Sequence, residues 1–335
     1  MQKIKIIDGT YKIRGKDVDL AGMVFPLVEG FKWGTKGAYI TVDAKDVNGF
    51  PDRNIKIMVT SEDSFEEVDH TTAITQRDET DEEVIDRLRE RFEMLEDMTK
   101  AAKKGTVRAM IVSGPPGVGK SFGVEKVLGK HDLIATLGEK APRYEVVKGA
   151  MSAIGLYCKL YNFADKDNVL VFDDCDSVLL DDLSLNILKA ALDSKKSRRI
   201  HWNTDSFKLR NEGVPDSFEF KGSAIFITNI KFDNVKSKKL RDHLEALESR
   251  CHYIDLTIDT EREKLLRIKQ ITNDGMLAEY ALPEGVADDI VDFVDINKKR
   301  LRELSLRTVL KVADLAKAFP DKWEAMAENT VMRRG

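Results

Sequence analysis

Gly114-Pro115-Pro116-Gly117-Val118-Gly119-Lys120-Ser121 is the stretch of this 335-residue chain that decides how the rest is read. Its spacing fits G-x-x-x-x-G-K-[ST], and it lies between an apolar run over 107–113 and a helical pattern. Glycines at these positions let the backbone curl so that successive N–H groups and a helix N-terminus face an anion. Lys120 has the reach for the outer phosphates of a nucleoside triphosphate, and the Ser121 hydroxyl suits Mg²⁺. The residues therefore point to a phosphate cradle formed by residues 114–121.

About fifty residues on, Asn168-Val169-Leu170-Val171-Phe172-Asp173-Asp174 ends an apolar run with two carboxylates. A strand beside the first would carry them to the cradle. Asp173 is expected to hold the metal, directly or through water, and Asp174 to polarise an attacking water. For Asp174, membership of a solvated acidic turn with Asp176, Asp181 and Asp182 is the competing reading.

From residue 106, strand-like runs (107–113, 144–147, 169–173, 224–228 and 252–256) alternate with helical patterns, as a parallel sheet with crossover helices requires. After 259 the pattern is wholly helical. Residues 1–61 alternate short β-type runs, one of them ending at Arg14, with glycine turns that include Gly49, and read as a small β-rich module. Residues 62–86 carry many carboxylates and one cation, Arg77, and read as a solvated linker. Thr80 and Glu83 form a capping-box pattern, and Ile85, Leu88, Phe92 and Leu95 recur at helical spacing behind it, so 62–105 is expected to be an acidic linker and an amphipathic helix. The remaining boundaries fall at 106–258 for the core and 259–335 for a helical region.

Composition narrows the function. Lysine plus arginine is 54 and aspartate plus glutamate 58, a formal charge of −4, so no global basic field draws the molecule to nucleic acid. Three cysteines and five histidines without ligand spacing argue against a disulfide framework and a protein-only metal centre. No apolar run approaches the ~18 residues a spanning helix needs, and the N-terminal residues lack a secretory pattern, so no membrane role and a cytoplasmic location are expected.

Taken in order, these motifs resemble the AAA+ ATPases, of the stand-alone bacteriophage type, over about residues 106–320. The resemblance implies an α/β fold: a P-loop three-layer αβα core with a parallel sheet, a C-terminal helical lid, and here the β-rich N-terminal module in addition. It also implies ATP and Mg²⁺ as ligands and ATP hydrolysis as the activity. Asn229, ending Ala224-Ile225-Phe226-Ile227-Thr228, matches sensor 1, which orients the lytic water. Arg250 in Ser249-Arg250-Cys251 matches the arginine finger that one subunit lends to another in a homo-oligomer, commonly a ring; Arg241 is the alternative. Arg307 in Ser305-Leu306-Arg307 matches sensor 2. One departure stands out: the second acidic residue is Asp174 where the family usually has Glu, and its shorter reach implies slower hydrolysis.

The target of such a motor is less legible. Two β-type runs around Asn211-Glu212-Gly213 read as a hairpin, whose Arg198, Arg199, Trp202 and Lys208 are candidates for DNA phosphates and bases. Packing of Trp202 onto the core is the competing reading. Lys148-Gly149-Ala150-Met151-Ser152 is a second channel-facing candidate. It has no aromatic before Tyr157, which counts against threading of protein, while Lys148 suits a phosphate backbone. Two functions stay open: an oligomeric motor on nucleic acid, or a nucleotide-gated switch whose N-terminal module recruits a protein partner.

Overall fold

The structure is a computed structural model. It describes residues 2–333 except 14, 46, 48–49, 51–53, 70–71, 75–78, 138–141, 205, 231 and 233–234, and gives the backbone alone for residues 130–137. Arg14, Gly49 and Arg77 of the sequence reading lie outside the described residues. The chain falls into two compact units, Met1–Val84 and Ile85–Gly335.

The first unit is an antiparallel sheet. Its strands are β1 (Lys3–Ile6), β2 (Thr10–Ile13), β3 (Lys16–Asp19), β4 (Val24–Gly34), β5 (Gly37–Asp43), β6 (Asn54–Met58) and β7 (Phe65–Val68), in the order β3-β2-β6-β5-β4-β1-β7. Alternation places Ile4, Ile6, Ile40, Val42, Ile55 and Ile57 in one core with Phe25. The β-rich reading therefore extends further than expected. β7 lies inside the stretch read as linker and pairs with β1 from Lys3↔Val68 to Ile6↔Phe65. The ladder is made by backbone groups, so the outward Glu66 and Glu67 that suggested solvation do not oppose it.

α1 (Asp81–Lys103) starts at the expected capping box, with the Glu83 amide on Thr80 Oγ1 and the Thr80 amide on Glu83 Oε2. Leu88, Phe92 and Leu95 are buried along one face.

In the second unit β8 (Ala109–Ser113), α2 (Lys120–Leu137), β9 (Tyr144–Lys148), α3 (Ala153–Asn162) and β10 (Val169–Asp173) come first. Then follow α4 (Ser177–Leu180), α5 (Asp182–Ala191), β11 (Arg199–His201), α6 (Phe207–Asn211), β12 (Ser217–Glu219), β13 (Ser223–Thr228), α7 (Lys238–Glu248) and β14 (His252–Asp255). The main sheet is parallel throughout, in the order β14-β8-β13-β10-β9. Ala109, Ile111, Leu170, Phe172, Ala224 and Phe226 pack against α3, α5 and α7, with Phe172 stacked on Phe226 at 5.0 Å. Met110, Val112, Val171 and Ile225 on the opposite face are equally buried, as a sheet covered on both sides demands.

α8 (Glu261–Asn273), α9 (Val286–Ile296), α10 (Leu306–Ala318) and α11 (Trp323–Val331) complete the unit around a separate apolar cluster that includes Ile290, Val294, Val309 and Val312. The hairpin is also altered from expectation. β11 and β12 do pair antiparallel, from Arg199↔Glu219 to His201↔Ser217. Instead of turning at 211–213, however, the connection carries α6, capped by Ser206 and anchored by buried Leu209.

Candidate functional site

Parallel strands in register deliver their following loops to one edge. Ser113 of β8 is level with Thr228 of β13, and Asp173 of β10 is level with Ile227 and with Lys148 of β9. Residues 114–121, the Asp173-Asp174 pair and Asn229 all emerge there, at the carboxyl end of the sheet. The loop turns through Gly117 at φ +71°, where a Cβ would stand 2.7 Å from Ser305 Cβ. No side chain fits, so the start of α10 rests directly on the loop, and the Leu306 amide donates to the Gly117 carbonyl at 3.0 Å.

Lys120 is 6% exposed, and its ammonium donates to the carbonyls of Gly114 (2.7 Å) and Pro115 (2.9 Å) and to Asn229 Oδ1 (2.8 Å). Burial pushes it down to about 8; Asp174 and Asp173 oppose the shift, and Arg307 adds to it. Asn229 in turn donates from Nδ2 to Asp174 Oδ1 at 2.9 Å. Asp174 is exposed and sits at φ +51°, a left-handed conformation that Asp tolerates better than most residues. Behind it, Ser121 Oγ donates to buried Asp173 Oδ1 at 2.8 Å. The cluster thus holds a buried cation, two carboxylates in different settings and a bridging amide.

Four residues around the cluster escaped the reading of the sequence as parts of this site. Lys148, expected in a channel, pairs with Asp173 Oδ2 at 3.3 Å and with Glu125 at 3.0 Å. Thr228 donates to Asp176 at 2.7 Å and so steadies the carboxylates' turn. Ser305 Oγ and Glu303 Oε1 are buried without a partner among the described residues, both beside Gly117. Only the strand-end register could have signalled Lys148, since its partner lies 25 residues away in sequence.

Arg307 is exposed at the second position of α10, near enough to Lys120 to depress it. Arg250 is exposed just beyond α7 and donates to the Ala246 carbonyl and Ser249 Oγ. Arg241 donates to the Val235 carbonyl at 3.2 and 2.7 Å. Neither arginine forms a hydrogen bond or ion pair with Lys120, Asp173 or Asp174 of its own chain among the described residues.

The nucleic-acid candidates separate into two groups. Arg198 is 7% exposed, donates to the carbonyls of Ala191 (3.3 Å) and Gly222 (3.1 Å) and lies over the Phe220 ring, so it is a structural residue and not a free cation. Trp202 is half-buried with its ring 5.5 Å from that of Tyr157, which favours packing onto the core, the competing reading, over base stacking. Arg199 and Lys208 are exposed, beside Phe207 at 73% exposure. Among the described residues no group of three or more His, Cys, Asp or Glu side chains is placed to hold a metal, and no helix is long and apolar enough to cross a membrane.

No protein-family model matches the chain. Among solved structures it is similar to domain III of the replication initiation protein DnaA from Thermotoga maritima, with a TM-score of 0.41 and 10% identity over 72% of this chain and 91% of that one. Cdc6p from Pyrobaculum aerophilum gives a TM-score of 0.42 and 13% identity over 73% of this chain and 67% of that one. In sequence it is 35% identical over 252 residues, 74% of this chain and 76% of the other, to an uncharacterised 36.7 kDa protein of the nrdC–mobD intergenic region of Enterobacteria phage T4. Similarity of that extent makes the chain a member of the same protein family as the phage T4 protein.

Proposed function

We propose that this is an AAA+ ATPase that binds ATP with Mg²⁺ at residues 114–121 and hydrolyses it to ADP and phosphate as a homo-oligomer. The observation that carries the reading is the continuous chain Lys120–Asn229–Asp174, at 2.8 and 2.9 Å, beside the Ser121–Asp173 pair. A cation, an amide and a carboxylate converge where the terminal phosphate and a water would meet. Ser121 Oγ and Asp173 Oδ1 are hard oxygen donors, which suits Mg²⁺ completed by phosphate and water. The metal would supply charge neutralisation between the outer phosphates. Lys120 neutralises the phosphate, Asn229 orients the water, and Asp174 accepts a hydrogen bond from it as it attacks the γ-phosphorus and the β–γ bridging oxygen leaves with ADP. Arg307 approaches from the lid, and Arg250, exposed and without an ion pair among the described residues, completes a neighbouring copy's site.

Phosphate release from ATP by the purified chain, with and without single-stranded or duplex DNA, tests this. Activity should require Mg²⁺ and vanish in Lys120→Ala together with nucleotide binding; unchanged binding in that variant overturns the site. DNA is the favoured substrate, met by exposed Arg199, Lys208 and Phe207, and replacing the two cations should flatten the salt dependence of binding. One observation favours a second reading. Asp174 is already tied to Asn229 and is shorter than Glu, so slow turnover would leave a nucleotide-gated assembly switch, whose N-terminal unit recruits a protein partner. Nucleotide-dependent assembly with negligible phosphate release, unaffected by DNA, is its signature.

A further inference from the structure

Arg267, on α8, is 5% exposed. It forms no ion pair with a carboxylate among the described residues. Nη1 donates to the neutral Gln270 Oε1 at 2.8 Å, and the guanidinium carbon lies 3.5 Å from the centroid of the Phe92 ring. Nε is buried with no acceptor among the described residues. Burial pushes the group down to about 10; Asp274 works against that shift through space, and Arg89 adds to it. Stacking on an aromatic face offsets part of the cost of a buried cation, but such cations are ordinarily paired with an anion.

The surroundings indicate the anion that suits this group. Nη2 lies 4.0 Å from the position a Cβ on Gly119 would take, and Phe92 Cε1 lies 3.8 Å from it. Gly119 is the last residue of the cradle before Lys120. The groups assigned above to a terminal phosphate are Lys120, Asn229, Asp174 and Arg307, and Arg267 forms no hydrogen bond or ion pair with them among the described residues. It reaches the loop at Gly119, together with Phe92 and with Leu306, whose Cδ1 lies 3.5 Å from the same position.

We propose that Arg267 is a nucleotide-binding residue, held by Phe92 and Gln270 so that its unspent N–H groups meet a phosphate oxygen carried by nucleoside diphosphates and triphosphates alike. This rests on residues 114–121 being a nucleotide site. Its requirement follows from geometry: a guanidinium offers a fixed planar fork of N–H donors, whereas an ammonium on the same stem offers three rotatable donors around a point charge.

Calorimetric titration of the full chain with Mg²⁺-ATP, ADP and inorganic tripolyphosphate, together with thermal melting, tests the assignment. Arg267→Met should bind all three ligands at least about tenfold more weakly, as loss of a charge-assisted hydrogen bond implies, and leave the ATP-to-ADP ratio unchanged. Arg267→Lys should recover part of the loss. The ligand-free Met variant should melt no lower than the wild type, because an uncompensated buried charge has been removed. A lower melting point with unchanged affinities overturns the proposal, since the residue is then structural. So does a loss confined to ATP, which would place the contact on the terminal phosphate, or one that spares tripolyphosphate, which would place it on the nucleoside. A wild-type chain that binds neither ADP nor ATP overturns the underlying site, and the inference with it.

Discussion

Lys120 shows how a single residue sets the site's response to pH. Its folded-state value of about 8 lies below the ordinary lysine value of 10.5, because burial disfavours the charged form. Below pH 8 the folded ligand-free chain carries the cost of holding that charge. Between pH 8 and 10.5 the unfolded chain binds more protons than the folded one, so this contribution to stability rises with pH. Ligand-free wild type should therefore gain melting temperature relative to Lys120→Met on going from pH 8 to pH 10, while its affinity for ATP falls over the same interval as the phosphate's counter-charge is lost. Parallel pH dependence in the two proteins would show that Lys120 does not titrate there. The nearness of loop 114–121 to Asp173 was legible because each comes at the end of an apolar strand, and the two meet through the Ser121–Asp173 hydrogen bond. Arg198 was not, since a basic residue beside Arg199 reads as surface until Phe220 and two carbonyls are found around it.

Among the elements, the five parallel strands were readable because strands buried on both faces must be continuous apolar runs, as Val169 to Phe172 illustrate. β7 hid behind Glu66 and Glu67, whose backbone pairs while their side chains stay in water. α6 was missed because Phe207-Lys208-Leu209-Arg210-Asn211 holds one turn of helix, too short for a period, with the Ser206 cap as its only signal. The junction of α10 with the phosphate loop is equally invisible in sequence, and it makes a test at this scale. Gly117→Ala would need φ +71° and would drive a Cβ to within 2.7 Å of Ser305 Cβ. The start of α10 should be displaced at a cost of roughly 1–3 kcal/mol, and ATP affinity should weaken although Lys120 is intact. Adding Ser305→Gly relieves the collision and should restore part of both losses. A double variant no better than Gly117→Ala would mean that the collision is not the cause.

At the scale of the whole molecule, exposed Arg250 carries the test of the proposed exchange between copies. Arg250→Ala should leave ATP affinity nearly intact and cut phosphate release on the order of 10³-fold. Mixing it with Asp174→Asn should recover some turnover, because a hybrid interface has an intact carboxylate facing an intact finger. Absence of recovery at every mixing ratio would argue for a self-contained site. The sheet of the first unit imposes a separate condition on dissection of the chain. β1 lies between β4 and β7, so cleavage after residue 61 strips one side of Lys3–Ile6 of its hydrogen-bonding partner. The shortened fragment should self-associate through that open strand edge, whereas one continued to Val84 should stay monodisperse in sedimentation. Proteolytic trimming that removes residues 62–68 would thus shift the sheet's rim from the glutamate-bearing β7 to the Ile4 and Ile6 strand.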